Sequence, residues 1–229
     1  MYASGTDDRG HPAAVDLFWL PLGAGGHVVR RCGAAYERLA ARRAGRRPLD
    51  LYHAALEATT SEGRFAIELT PIQSGAGSEC GVIGKGPVGS PLLGHLRLFS
   101  YELHAAPGGA IPDLDYAVES PRRVGRTEEE ARRVLDLLPE VPLLTWGRDE
   151  LGLGEMWNSN SVIAWLLARA DLDLTAIGPP RHGRAPGWRA GIEAAHLATG
   201  PSGLRGSFSP AYVDKEPRRV DPARSTTTG

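Results

Sequence analysis

The stretch Leu49-Asp50-Leu51-Tyr52-His53-Ala54-Ala55-Leu56-Glu57-Ala58, followed by Ser61-Glu62-Gly63 and then Phe65-Ala66-Ile67-Glu68-Leu69, decides the fold. In its first run Tyr52, Ala54, Leu56 and Ala58 alternate with Leu51, His53, Ala55 and Glu57. A period of two is the signature of a strand with one face buried. The Ser-Glu-Gly triplet is turn material, and the second run resumes the extended pattern until Pro71. Two such runs around a short polar turn predict an antiparallel hairpin.

Moving outward toward the N-terminus, Val15-Asp16-Leu17-Phe18-Trp19-Leu20 is a compact apolar run closed by Pro21, the form of a buried strand. A glycine-rich loop, Leu22 to His27, follows it. Cys32 to Arg43 then reads as a helix, with Ala35, Tyr36, Leu39 and Ala40 at helical spacing and arginines where the dipole favours them. Toward the C-terminus, residues 73–94 are rich in glycine and predict a long ordered loop or flap, and Leu96 to Leu103 predicts a further strand. Thr127 is a good N-cap, with Glu128, Glu129 and Glu130 in the first turn and Val134, Leu135 and Leu138 as the buried stripe, up to Pro139. Asn158 or Ser159 caps another helix through Ala170, with Val162, Ile163, Leu166 and Leu167 inward. Gly178 to Gly187 reads as a loop and Trp188 to Leu197 as a short helix. Residues 1–13 form a flexible lead-in, residues 14–200 one domain, and residues 201–229 a largely disordered polar tail. The expected class is α+β, an antiparallel sheet of about four to six strands packed with helices.

A chain of 229 residues with 41% apolar and 23% charged residues buries a sizeable core as one domain. The 26 basic and 27 acidic residues leave a formal charge of −1, which calls for no nucleic acid or other polyanion. Arg42, Arg43, Arg46 and Arg47 cluster without interleaved aromatics, as a solvated helix end does. The two cysteines, Cys32 and Cys80, allow no disulfide framework and no zinc site. Met1 to His11 lacks the charged start and apolar core of a signal peptide, and the longest apolar run, Val162 to Ala168, is too short for a membrane span. A cytoplasmic protein with no cofactor and no metal is the expectation.

Three features invite a chemical reading. Gly23-Ala24-Gly25-Gly26 lies between strand and helix but lacks the lysine of a phosphate loop and the spacing of a dinucleotide fingerprint, so it reads first as a bend. Among the histidines His53 stands inside a strand; His95 and His104 flank one, and His27 and His182 lie in loops that face solvent. Trp157-Asn158-Ser159-Asn160-Ser161 opens an apolar helix. Asn and Ser are the preferred N-caps, so the cluster on its own is a cap. A helix N-terminus also presents free amides and partial positive charge to a developing anion, which suits a nucleophile.

Tyr52-His53-Ala54-Ala55-Leu56, then Phe65-Ala66-Ile67-Glu68, then Trp157-Asn158-Ser159-Asn160-Ser161-Val162-Ile163-Ala164-Trp165-Leu166-Leu167 resembles the order of circularly permuted papain-like proteins. Those include the PPPDE group, the lecithin retinol acyltransferase-like group and the permuted bacterial cysteine hydrolases. There a histidine on an early strand, a polar residue on the next strand and a late helix opened by Asn-Cys form the site. The resemblance covers roughly residues 50 to 170. It implies a permuted papain-like order of the α+β fold, with Ser159 as nucleophile, His53 as base and Glu68 as orienter. Trp157, Asn158, Asn160 and Tyr52 would shape the oxyanion site and cleft. The substrate would be an amide or ester of a peptide, lipid or small molecule. This chain departs from the pattern by carrying serine where the family carries cysteine. A hydroxyl is far less acidic than a thiol, so it needs His53 as a true general base. Either a serine version of the site operates, or catalysis is lost and the cleft holds a peptide, lipid or conjugate.

Overall fold

The computed structural model describes residues 12–23, 27–71, 81–91 and 100–199. The lead-in through His11, part of the glycine loop, His95, Cys80 and the tail from Gly200 lie outside them.

The chain builds an antiparallel sheet packed with helices. Its strands are β1 (Ala14–Pro21), β2 (Asp50–Thr60), β3 (Gly63–Pro71), β4 (Val82–Pro87), β5 (Ser100–Pro107) and β6 (Arg122–Gly125), in the order β4-β5-β3-β2-β1-β6. A two-residue strand β7 (Gly183–Arg184) adds a short parallel pairing to the start of β2 and makes the sheet seven-stranded, one beyond the expected range. The helices are α1 (His27–Arg43), α2 (Glu128–Asp136), α3 (Ser159–Arg169) and α4 (Trp188–Thr199). The expected hairpin is the β2–β3 pair, in register from Leu56 opposite Ile67 to Thr60 opposite Gly63.

Alternation divides the sheet into two faces. Leu17 and Trp19 of β1, Tyr52, Ala54, Leu56 and Ala58 of β2, Ile67 and Leu69 of β3, and Tyr101 and Leu103 of β5 share the main core with Val134 of α2 and Val162, Ile163, Leu166 and Leu167 of α3. On the other face, Phe18, Leu20, Ala55 and Ala66 form a smaller cluster with Ile111, from the segment between β5 and β6. α3 is buried over its whole first two turns because α4 crosses it closely: a Cβ at Gly191 would run into the Ser161 carbonyl. α2 starts at the expected cap, where the Thr127 side chain takes the Glu130 amide and the Glu130 carboxylate returns to the Thr127 amide. That exchange satisfies amides the helix cannot reach.

Four expectations need correction. Residues 82–87 are an edge strand rather than loop, and their glycines serve packing: a Cβ at Gly86 would collide with the Tyr101 ring and one at Gly84 with Leu143. The strand expected from Leu96 is described from Ser100 and runs on to Pro107, so His104 lies within it. Part of the 178–187 loop pairs as β7.

The fourth concerns α1, which does not bury the Ala35, Tyr36, Leu39, Ala40 stripe: Leu39 is 50% exposed and Tyr36 37%. From Gly33 onward, its inward residues are Gly33, Glu37 and Ala41. Glu37, 2% exposed, accepts hydrogen bonds from Arg46, from the Leu49 amide (2.9 Å) and from Arg184 (3.1 Å). Those cations hold its carboxyl below the usual range against the desolvation of burial. Arg46 is therefore part of an ion cluster and not a solvated helix end. A buried charge with this set of partners anchors the helix alongside the buried Ala41.

Ile163 lies fully buried in the main core. Ile163→Ala is expected to lower unfolding stability by about 2–5 kcal/mol, read as a lower urea midpoint at unchanged slope.

Candidate functional site

Strand β2 changes partner along one edge. From Thr60 back to Leu56 that edge pairs with β3, and at Asp50 and Leu51 it pairs with β7. Between them the side chain of Asn160 takes over. Its Oδ1 accepts the Ala54 amide (2.7 Å), and its Nδ2 donates to the Tyr52 carbonyl (3.1 Å) and to the Pro186 carbonyl (2.9 Å). The carboxamide thus spans the backbone on both sides of His53. An edge that would otherwise bury unpaired peptide groups is closed by the first turn of α3.

Asn158 is the N-cap of α3. Its Oδ1 accepts from the Asn160 (2.9 Å) and Ser161 (3.3 Å) amides, while its Nδ2 donates to Pro186 O (2.9 Å). Ser161 Oγ accepts from the Asn158 amide and donates to Met156 O. Gly187, at φ 87°, brings the 185–187 loop against this cap, where a Cβ would strike Asn158 and Ser161. Asn158, Asn160 and Ser161 are therefore committed to structure. Asn158, expected to assist an oxyanion, spends its backbone amide on Ser161 and one Nδ2 hydrogen on Pro186, which leaves the second Nδ2 hydrogen without a partner among the described residues.

Ser159 differs from its neighbours. It is 5% exposed, and neither its hydroxyl nor its amide has a hydrogen-bond partner among the described residues. It is the one residue of the Asn-Ser-Asn-Ser cluster left uncommitted.

His53 and Glu68 share the face opposite the main core, two residues from Ala55 and Ala66 respectively, and both are half-buried. Burial lowers the His53 pKa, opposed by the negative charge of Asp113, so the imidazole favours its neutral form. Burial, reinforced by Asp113, pushes the Glu68 carboxyl up to about 7. No hydrogen bond joins His53 to Ser159 or to Glu68. The structure thus brings the start of α3 to the edge of β2 beside His53, but the His53 and Glu68 side chains stand on the face away from the core that α3 packs into, and no hydrogen bond joins the three into a relay. Opposite Glu68 on β5 stands His104, whose Nε2 pairs with Glu102 (3.0 Å), itself paired with Lys85 (2.9 Å).

Of the remaining candidates, Trp157 is buried in the main core and Tyr52 packs its ring on Gly183. His182 is exposed. A cavity of about 650 Å³ opens between α1 and the start of β2, with Leu22, Leu51, Tyr52, Asp50, Arg38 and Tyr116 among its walls. Leu51 precedes His53 by two residues on the same strand face. Sequence reasoning missed Asp113, which lies in a turn with no periodicity to flag it; among the described residues it is one of four non-glycine residues at positive φ. Among the described residues no group of three or more His, Cys, Asp or Glu is placed to hold a metal, and no helix is long and apolar enough to cross a membrane. Comparison with protein-family models, with curated proteins and with solved structures finds no match to this chain.

Asn160→Ala strands the Ala54 amide and two carbonyls in the interior, and is expected to cost about 3 kcal/mol or more. Ser159→Ala should change stability by less than about 1 kcal/mol, so paired denaturation curves separate the structural residue from the uncommitted one. Glu68 supplies a pH test. Folded, it keeps its proton to about pH 7; unfolded, it releases it near 4.5. Folding therefore binds a proton in that window, and this group's contribution falls as pH rises from 4.5 to 7. Glu68→Gln is expected to match the parent at pH 4 and exceed it at pH 8, by at most about 3 kcal/mol. An equal offset at both pH values would reject the elevated carboxyl.

Proposed function

We propose that this chain is a papain-like hydrolase or acyltransferase in circularly permuted order, acting on an amide or ester bond with Ser159 as nucleophile and His53 as base. The observation that carries the reading is the Asn160 carboxamide, which fixes the N-terminus of α3 to strand β2 on both sides of His53. Helix start and histidine strand are thereby held together at the edge of β2, and the reading requires the His53 ring, which stands on the face away from the α3 core, to reach Ser159 round that edge.

The chemistry follows from the groups available. A neutral imidazole is the form that accepts a proton, and burial favours it at His53. As His53, reaching round the edge of β2, takes the hydroxyl proton, the Ser159 oxygen attacks the substrate carbonyl; the Ser159 amide, without a partner among the described residues at the positive end of α3, donates to the oxyanion. Collapse of the tetrahedral intermediate returns the proton to the leaving amine or alcohol and leaves an acyl-serine. Water releases a free acid from it, or a second alcohol or amine takes the acyl group. The cavity beside Leu51 and Tyr116 holds the part of a peptide, lipid or small molecule next to the scissile bond. A cytoplasmic setting fits this reading.

A second reading, a cleft that binds such a ligand without turning it over, is favoured by one observation. Glu68, expected to orient His53, makes no hydrogen bond to it and carries a carboxyl that is half protonated near neutrality.

A fluorophosphonate probe decides between the two. Labelling at Ser159, abolished by His53→Ala and by Ser159→Ala, is the outcome expected of the enzyme. Absence of labelling by several probes in folded protein selects the silent cleft. Ser159→Cys is expected to react with iodoacetamide faster than the free thiol, because the helix terminus and His53 favour the thiolate.

A further inference from the structure

The segment between β5 and β6 crosses the sheet face that carries His53. Ile111 is 4% exposed and packs into the cluster of Phe18, Leu20, Ala55 and Ala66. Ala55 is two residues from His53 on β2, and Ala66 two from Glu68 on β3, so Ile111 seats this segment on the pair of positions next to both. The far end of the segment is tied down where the Val118 amide donates to the Trp19 carbonyl (2.9 Å). Asp113 lies between these anchors. It occupies the N-cap position of the single-turn 3-10 helix Leu114–Tyr116 in left-handed conformation, φ 60° and ψ 20°. An aspartate at an N-cap ordinarily spends its carboxylate on the helix amides. Here the side chain makes no cap hydrogen bond, so the carboxylate is left for another use.

We propose that Asp113, and not Glu68, is the carboxylate that works on His53, a positioning residue that holds negative charge opposite the imidazole; this rests on the reading of His53 as the base. The other charged groups that the strands put on that face are engaged or neutralised, Asp16 of β1 by Arg123. Glu102 is bound to Lys85 and His104, and Glu57 is paired with Arg64. Glu68 is itself kept protonated in part by the Asp113 charge. Asp113 acts electrostatically on both His53 and Glu68, raising each. A proton taken from Ser159 would leave an imidazolium in a half-buried site, and a fixed carboxylate stabilises that cation as it forms.

Histidine titration by NMR tests this, with the His53 resonance assigned from His53→Gln. In Asp113→Asn, which keeps the size of the side chain and tolerates positive φ, the pKa values of His53 and Glu68 are both expected to fall. Asp113→Gly, which relieves the backbone, should give the same two downward shifts, whereas Asp115→Asn should give neither. If His53 titrates unchanged in folded Asp113→Asn and Asp113→Gly, the proposal is overturned. Where Ser159 labels, Asp113→Asn should slow labelling roughly tenfold, equivalent to one unit of pKa, and move the acid limb of the rate profile to lower pH; a turn with a purely structural role would move neither. If the parent chain never labels, the serine-nucleophile reading fails, and the titrations still decide whether Asp113 is the partner of His53.

Discussion

The carboxamide of Asn160 is the constraint on which the region around β2 depends. β2 cannot pair with β3 along its full length, because the two strands part after Leu56 and Ile67. The exposed peptide edge must be satisfied within a packed interior, where an unpaired amide is costly. One side chain does this at Ala54 and Tyr52 and reaches Pro186 besides. Three otherwise independent parts follow from it: the position of α3, the course of the 183–187 loop, and the pairing of β7 with the start of β2. A side chain with both an acceptor and two donors in one plane is needed, which asparagine supplies and serine or aspartate does not.

That arrangement separates tasks between the two faces of the sheet. The face toward α3 and α4 is a continuous apolar core. The opposite face carries His53, Glu68, His104 and Glu102 in a band across three strands, with only a small apolar cluster under Ile111. Charge in such a band must be paired or suppressed. Glu102 is paired, while Glu68 is suppressed to the point of titrating near neutrality. The same pressure acts on α1, where it is met differently: Glu37 remains charged because two guanidinium groups and a backbone amide surround it. Burial alone does not decide which carboxyl keeps its proton; the partners do.

How much of this was legible in the sequence depended on whether the signal was local. The β2–β3 hairpin was readable because alternation and turn lie side by side, and α2 because Thr127 and Glu130 state its cap within four residues. β4 was not, since an edge strand pairs on one side only and its glycines answer to Tyr101 and Leu143, residues far away in sequence. The wrong face was assigned to α1 because a tally of apolar side chains cannot anticipate that a glutamate is drawn inward by Arg46 and Arg184. At the site, residue types and order pointed to His53 and to the start of α3. Which member of Asn158-Ser159-Asn160-Ser161 is spent on structure and which is free is a matter of hydrogen-bond partners up to 108 residues away. Asp113 carried no pattern at all, as its role is set by where Ile111 packs.

The saturation of the cluster bears on the serine itself. If the Asn-Ser-Asn-Ser segment were only a cap, Asn158 and Ser161 would suffice, and position 159 would tolerate any small residue. Asn158, Asn160 and Ser161 spend their side chains on holding the first turn of α3 against β2, yet Ser159 keeps both its hydroxyl and its amide without a partner among the described residues within that rigid frame. Preorganised frames of this kind favour chemistry because nothing must reorganise when charge develops. The hydroxyl, however, draws less from a helix terminus than a thiol does, because its far higher pKa leaves almost no anion for the dipole to stabilise. The frame therefore places the greater demand on the histidine and on the carboxylate that supports it, and both of those lie on the opposite face of β2, where Ile111 seats the Asp113 turn.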